Sequence, residues 1–337
     1  MANAAVGKKW AAIAAAIIGG LTAGFVFLLG ALDLAGAPVL VAGVSGNTKL
    51  GLDAGTMVTG FAAAALISKP LRVRLARIMP IDPDSPVHAL ALVLAVVLFG
   101  TQVTSLVFTD VLASDQATAP LTVTDLIVQE LPFLILALAG VGIFMRRGAP
   151  AVLQRLGLVI PAWWHVPLAL AAAGVFFGFA YEMDALSHVV TPQVAHQVDV
   201  TTEHVFGGLG GPVAIAALAL APGICEEILF RGALQPRIGL VATALLFASI
   251  HTQYGLSFDV LAIFVIAIGL GIIRKFANTT TSGLCHVTYN LLTGIGISLA
   301  GASLGIAAGL ELILLGAAAF GIWSAWRRRP REPVLSS

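Results

Sequence analysis

Long apolar stretches recur along this chain, and their length constrains its fold more than any other feature. A helix that crosses a bilayer needs about 20 mostly apolar residues. Stretches that approach or reach this length lie near 10–32, 54–68, 87–109, 123–145, 165–187, 213–235, 238–257, 258–275, 279–299 and 302–326. The second is short, and we expect the Gly-rich segment 33–55 before it to be re-entrant or extracytoplasmic. The sequence therefore predicts an all-α polytopic membrane protein with about eight to ten transmembrane helices.

The composition agrees with this class and argues against several others. Hydrophobic residues make up 58% of the chain and charged residues 10%, whereas about 25% of the residues of a soluble domain are charged. The formal net charge is +1 and no basic stripe is present, so the expected partner is the lipid bilayer and not a nucleic acid. Cys225 and Cys285 both fall inside predicted helices, which argues against a disulfide framework or a CxxC metal site.

The basic residues predict how the chain is oriented. All eighteen lysines and arginines except Lys49 fall on one side of the predicted helices, and such residues are enriched in cytoplasmic segments. We expect a multi-pass protein of the cell membrane with both termini in the cytoplasm, including the basic tail 327–331. The loops 110–125 and 182–212 would then lie on the outer side. Because no repeat or linker is found, we treat residues 1–337 as a single membrane domain, in which the helices of 1–200 have no assigned role.

Three charged residues interrupt the apolar stretch 213–235. They are Glu226, Glu227 and Arg231, and each charge near the bilayer centre costs at least about 2.5 kcal/mol unless it is paired or hydrated. Glu227 and Arg231 have the i,i+4 spacing of a helical ion pair. Glu226 is then left without a counter-ion, as expected of a general base or acid in a partly desolvated site.

The next two polar pairs in the chain have the same helical spacing. Phe247 and His251 are four residues apart, so the phenyl ring can pack under the imidazole and fix its orientation. His286 and Asn290 can direct hydrogen-bond donors to one point, as stabilisation of a tetrahedral oxyanion requires. At 1.5 Å per residue, His251 would lie about 20 Å from the cytoplasmic end of its helix and His286 about 10 Å from that of its own. We therefore expect these residues to meet Glu226 around a cavity open to the cytoplasm.

Taken together, the three motifs resemble a known protease family. Glu226 and Glu227 followed by Arg231, then Phe247 with His251, then His286 with Asn290 occur in the order seen in the CPBP (ABI) family, with Phe230 and Gly232 also in place. This family contains intramembrane glutamic endopeptidases, including type II CAAX prenyl endopeptidases, and bacterial proteins linked to bacteriocin processing or self-immunity. The resemblance covers 213–299, which we interpret as the catalytic core.

The resemblance implies a role for each motif residue. Glu226 and His251 would activate a water that attacks a peptide carbonyl, and His286 with Asn290 would form the oxyanion hole. The supporting residues would be Glu227, Arg231 and Phe247. The implied activity is metal-independent hydrolysis of a peptide bond, without a cofactor, in a peptide or membrane-protein substrate.

Three other interpretations stay open at this stage. Two histidines and a glutamate are a catalytic zinc ligand set, although no HExxH motif is present. The same side chains could relay protons in a transporter, for which no supporting inverted repeat is found. The chain could also be a non-proteolytic membrane adaptor or bacteriocin-immunity protein that keeps the motifs only for structure.

Polar residues outside the motifs carry weaker signals. Glu130 and Glu311 lie within predicted helices, where each is expected to make a polar contact with a neighbouring helix or to contact substrate. His188, His196 and His204 share the outer segment 188–212 with acidic residues, but they lack the spacing of a ligand motif. For that segment we predict a solvated loop.

Overall fold

The computed structural model describes residues 2–5, 8–41, 44–296 and 302–327. These residues are mainly helical, and no β-strand occurs among them. In chain order the α-helices are α1 Lys9–Leu34, α2 Gly46–Ala65, α3 Lys69–Leu75, α4 Pro86–Phe108, α5 Val111–Gln116, α6 Val123–Val141, α7 Ala149–Leu156, α8 His165–Val190, α9 Pro192–Phe206, α10 Pro212–Glu226, α11 Gln235–Ile238, α12 Leu240–Ser249, α13 Phe258–Phe276, α14 Thr279–Ile295 and α15 Ala302–Arg327. A π-helical segment, Glu227–Leu234, joins α10 to α11. The predicted all-α polytopic class is confirmed.

Six helices in the described ranges are long and apolar enough to cross a membrane. They are α1, α4, α6, α8, the stretch Pro212–Ile238 formed by α10, the π segment and α11, and Gly305–Arg327 within α15. A seventh is reached if α2 and α3, which meet at 90°, count as one broken span. These counts are lower than the eight to ten inferred from hydropathy.

The difference comes from the stretches 238–257, 258–275 and 279–299. The longest α-helix in the first is α12, with ten residues, because the backbone leaves helical geometry at His251 (φ −92°, ψ 56°) before a single 3-10 turn, Thr252–Tyr254. The second stretch forms α13, which carries charges at both ends, on Asp259 and on Arg274 and Lys275. The third forms α14, which has only 17 residues. Hydropathy alone therefore overcounts helices here. Residues 297–299 of the predicted core and 328–331 of the basic tail lie outside the described residues.

The segment 33–55 is more regular than its glycine content suggested. Helix α2 begins within it, at Gly46, and packs along α1. Lys49, the exception to the charge asymmetry, contacts Asp33 and lies 3.1 Å from a carboxylate oxygen of the fully buried Asp53. The exception is explained because two acidic partners neutralise this lysine.

The expectation of a solvated loop at 188–212 is wrong. Helix α8 continues to Val190, and Pro192 opens α9, which runs to Phe206. Proline is favoured in the first turn of a helix because its missing N–H has no partner there in any case. The connection between α8 and α9 is consequently a single residue, Thr191, and the outer histidines lie on helices.

Helix α10 is the element that positions the polar motifs. It packs between α6 and α14, and Gly223 allows a close approach to α14, since a Cβ at this position would lie 3.0 Å from the backbone nitrogen of Val287. Small residues at helix contacts let backbones approach closely in membranes. The charged residues that follow Gly223 are thereby held against the polar face of α14.

Candidate active site

The buried carboxylates lie where the helix changes type. Glu226 ends α10, and Glu227 begins the π-helical segment that contains Arg231. Such π segments are uncommon in proteins, but those that occur are often at functional sites. Gly232 belongs to this segment, and a Cβ there would lie 2.9 Å from the carbonyl oxygen of Leu156 in α7. The widened turn is therefore fixed by packing from a neighbouring helix.

Glu227 is the centre of a buried polar network. Its carboxylate lies 3.4 Å from Nε of Arg231, so the pairing predicted from the i,i+4 spacing is confirmed. The same oxygen, Oε1, faces Nδ1 of His286 at 3.2 Å, and Oε2 accepts a hydrogen bond from the hydroxyl of Ser282 at 2.6 Å. Glu227 and Arg231 are each 1% exposed. This network ties the π segment to α14.

Arg231 also contacts two further elements. Its guanidinium stacks over the ring of Phe247, with Cζ 4.3 Å from the ring centroid. One of its nitrogens donates to the carbonyl oxygen of Ala267 in α13 at 3.3 Å. Arg231 thus connects α12 and α13 to the segment that carries Glu227, as expected of a supporting residue.

Phe247 brings the two histidines together. Its ring centroid is 4.7 Å from that of His251 and 5.9 Å from that of His286. Phe230 packs edge-on against the same ring at 5.2 Å. The predicted packing of Phe247 against His251 is therefore present, and the same phenyl ring also contacts His286 of α14 and Phe230 of the π segment.

The hydrogen bond of His251 defines which ring nitrogen carries the proton. Nδ1 lies 2.8 Å from the carbonyl oxygen of Phe247. A carbonyl oxygen only accepts, so Nδ1 must donate, and Nε2 of the neutral imidazole keeps its lone pair. His251 lies just past the end of α12, in non-helical backbone. Such backbone is tolerated at membrane depth where it is buried in protein or lines a water-filled cavity.

Glu226 lies beside this network and is less fully satisfied than Glu227. Its Oε2 is 3.9 Å from Nε2 of His286, which is too long for a hydrogen bond. Within the described part of the chain this oxygen has no hydrogen-bond partner, although Glu226 is only 5% exposed. The two neighbouring glutamates therefore differ as predicted: Glu227 is paired with Arg231, and Glu226 has an Oε2 without a hydrogen-bond partner among the described residues, near His286.

Asn290 shares a face of α14 with His286 but turns to a different partner. Its amide nitrogen lies 3.5 Å from the carbonyl oxygen of Leu218 in α10, at the long limit of a hydrogen bond. Because this contact is weak, little is lost when the amide rotates. The convergence of the Asn290 and His286 donors on one point stays a prediction.

Sequence reasoning missed one residue of this site and underrated another. Ser282 binds Glu227 from a position four residues before His286, so the helical spacing could have identified it. Glu130 is buried on α6, which packs against α10 and the π segment. No local spacing relates Glu130 to the motifs, since it belongs to a distant helix.

A separate group of possible metal ligands lies at the outer histidines. Asp184, His188 and Asp199 bring ligand atoms within 4.8 Å of one another, and this is the one such group of three found among the described residues. His188 Nε2 is 3.4 Å from Asp199 and 3.7 Å from Asp184. The three side chains are largely solvated, as is ordinary for surface charges, so we assign them no function.

The described geometry is that of a helical membrane protein in which a buried glutamate, arginine and histidine form one polar network beside the ring of Phe247. Residues 209–292 match the family described as type II CAAX prenyl endopeptidase Rce1-like. The match includes every motif from Glu226 to Asn290 and confirms the resemblance to CAAX-type membrane proteases. No curated protein and no solved structure matches the chain significantly.

Proposed function

We propose that this protein is an intramembrane endopeptidase in which Glu226 and His251 activate a water molecule for attack on a peptide carbonyl. The observation that carries the proposal is the position of Glu226. Its Oε2 is buried without a hydrogen-bond partner among the described residues and lies 3.9 Å from Nε2 of His286. His251 packs against the same Phe247 ring as His286. The family match supports peptide hydrolysis as the reaction.

His251 is suited to act with Glu226 because its proton is held on Nδ1, which leaves the lone pair of Nε2 available. With Nδ1 donating to Phe247, Nε2 can accept a hydrogen bond from the attacking water. Glu226 then takes the proton as the oxygen attacks, and returns it to the amine nitrogen when the C–N bond breaks. General bases of this kind contribute roughly 10²- to 10⁴-fold to a rate.

His286 is suited to stabilise the oxyanion if it is protonated on both nitrogens. Its Nδ1 faces the carboxylate of Glu227, and a carboxylate accepts hydrogen bonds. Nε2 can then donate to the developing oxyanion only in the imidazolium form. The carboxylates of Glu226 and Glu227 lie 3.9 Å and 3.2 Å from the ring nitrogens. Asn290 would supply the second donor after rotating from Leu218.

We further propose that the site opens to the cytoplasm of a cell-membrane protein whose two termini are cytoplasmic. The support is the asymmetry of the basic residues. On this orientation α12 rises about 15 Å from the cytoplasmic side before it ends near His251. The substrate would be a peptide or a membrane-protein segment admitted to that depth.

A zinc-dependent protease is the second candidate, because both histidines use Nδ1 in hydrogen bonds and present Nε2 to the site. Zinc-bound histidines commonly have this arrangement, with the outer nitrogen held by a carboxylate or carbonyl. Against it, the ligand atoms of Glu226, His251 and His286 do not form a group within 4.8 Å in the described structure. We therefore propose a metal-independent reaction.

The proposal is tested by comparing protein termini in membranes from cells that express the wild type, Glu226→Gln or Glu311→Gln. Glu311→Gln is the matched control, since it removes another intramembrane carboxylate, one that lies against Gly174 of α8. We expect new termini with the wild type and the control but none with Glu226→Gln, and no effect of a permeant chelator. Loss of the new termini on addition of the chelator would favour a zinc-dependent protease. Equal termini in all three, with each variant inserted, would favour the adaptor.

A further inference from the structure

Ser282 lies where α14 closely approaches the segment that carries the two glutamates. A Cβ at Gly223 would lie 3.0 Å from the backbone nitrogen of Val287, and a Cβ at Gly283 would lie 4.0 Å from Cβ of Glu227. Small residues let two helix backbones approach in this way. The space beside Glu227 therefore suits a short side chain, and the fully buried Ser282 occupies it.

The Ser282 hydroxyl has one proton and two acceptors within reach. Its oxygen is 2.6 Å from Oε2 of Glu227 and 3.2 Å from the carbonyl oxygen of Thr279, one turn earlier in α14. A hydroxyl donates a single hydrogen bond, and such bonds to a carboxylate are typically about 2.5–2.7 Å long. The proton therefore lies in the shorter contact, and Ser282 donates to a side chain of another element and not to its own backbone.

With that bond in place, both oxygens of the Glu227 carboxylate are engaged. Oε2 accepts from Ser282, while Oε1 lies 3.4 Å from Nε of Arg231 and 3.2 Å from Nδ1 of His286. Oε1 cannot turn away from the imidazole unless Oε2 also leaves Ser282. Because an ionised carboxylate only accepts hydrogen bonds, Nδ1 of His286 must carry a proton in this arrangement. Histidines at metal sites are oriented by carboxylates in the same way.

We propose that Ser282 is a positioning residue for catalysis: by holding Glu227, it keeps a proton on Nδ1 of His286 and directs Nε2 to the site of hydrolysis. This inference rests on the proposed function, in which Nε2 donates to the oxyanion. Nε2 is the ring nitrogen on the side of Glu226, 3.9 Å from its Oε2. Ser282 acts only through Glu227, so its loss should slow the reaction without abolishing it.

Ser282→Ala tests the proposal in purified protein in lipid, with Thr288→Val as the matched control. Thr288 also lies in α14, but its hydroxyl donates to the carbonyl oxygen of Leu284 in the same helix at 2.8 Å. We expect Ser282→Ala to lower kcat by about 10- to 100-fold with little change in KM, since a misplacement of about 1 Å can cost 10²-fold in rate. Thr288→Val should keep the wild-type kcat.

A second substitution covers the case in which Ser282→Ala does not fold. The thiol of Ser282→Cys is a weaker donor than the hydroxyl, so kcat should lie between those of the wild type and Ser282→Ala. A wild-type kcat in folded Ser282→Ala, or in Ser282→Cys when the alanine variant does not fold, would overturn the proposal.

Nitrogen-15 NMR of the histidine rings provides a readout that needs no activity. The His286 signals, identified by their loss in His286→Ala, should show a protonated Nδ1 in the wild type. A second form with the proton on Nε2 should appear in Ser282→Ala but not in Thr288→Val. A bare Nδ1 in the wild type, or a fall in kcat without any change in the His286 signals, would overturn the proposal.

Failure of the proposed function would look different. Cleavage that persists in Glu226→Gln would refute glutamate-activated hydrolysis, whatever the kcat of Ser282→Ala. The NMR signals of His286 would still show whether Ser282 sets the position of its proton.

Discussion

Removal of Arg231 is predicted to destabilise the protein severely, and the size of the effect follows from its surroundings. Arg231 is 1% exposed and is the cation that faces Glu227. In Arg231→Leu the carboxylate of Glu227 keeps Ser282 and His286 as hydrogen-bond partners but loses its charge partner. Breaking a buried ion pair by removing one member costs about 3–5 kcal/mol. That is roughly two to four orders of magnitude in the unfolding equilibrium.

The assay is equilibrium unfolding of purified protein in matched detergent. Arg237→Leu, on the next helix, is the control. Among the described residues Arg237 has one hydrogen bond, a long and exposed contact to the carbonyl oxygen of Pro80, so the variant should change stability by about 0.5 kcal/mol or less. The double variant Arg231→Leu with Glu227→Gln should be more stable than Arg231→Leu alone, since neither member of the ion pair is then left charged without the other. Wild-type stability in Arg231→Leu, or no recovery in the double variant, would refute the reasoning.

Three further predictions concern the oxyanion donor, the metal and the helix contact. Asn290→Ala should lower kcat by about 10²- to 10³-fold, as loss of one oxyanion donor does, measured as single-turnover cleavage by folded protein. Dialysis against a chelator should leave cleavage unchanged, and recovery of lost activity by added zinc would contradict this. Gly223→Ala should destabilise the protein by about 1–3 kcal/mol because its Cβ meets α14, whereas Gly309→Ala, where the described structure leaves open space, should be neutral or stabilising in thermal unfolding.

Contacts set by local spacing were predictable from the sequence. The i,i+4 separations of Glu227 from Arg231 and of Phe247 from His251 both correspond to contacts in the structure. A helix fixes these neighbours within its own turns, so no knowledge of tertiary packing is needed. The contact of Ser282 with Glu227 could have been predicted in the same way, because Ser282 lies one helical turn before His286.

Features set by packing between distant segments were not predictable. Glu130 is buried on α6, which packs against α10, and neither helix alone indicates the other. The break at His251 was also hidden, since 238–257 is uniformly apolar enough to suggest one full span. Hydropathy reports whether a stretch suits lipid. It does not report where buried backbone leaves the helix to line an internal site.

The central claim is that adjacent glutamates have opposite roles, and paired substitutions test it most directly. Glu226→Gln and Glu227→Gln should be purified side by side, with unfolding and cleavage per folded molecule measured on the same samples. We predict that Glu226→Gln is at least as stable as the wild type and inactive, because it replaces a carboxylate whose Oε2 has no partner in the described structure. Glu227→Gln should be clearly less stable while folded molecules keep measurable cleavage. Cleavage at the wild-type rate by Glu226→Gln would contradict the account.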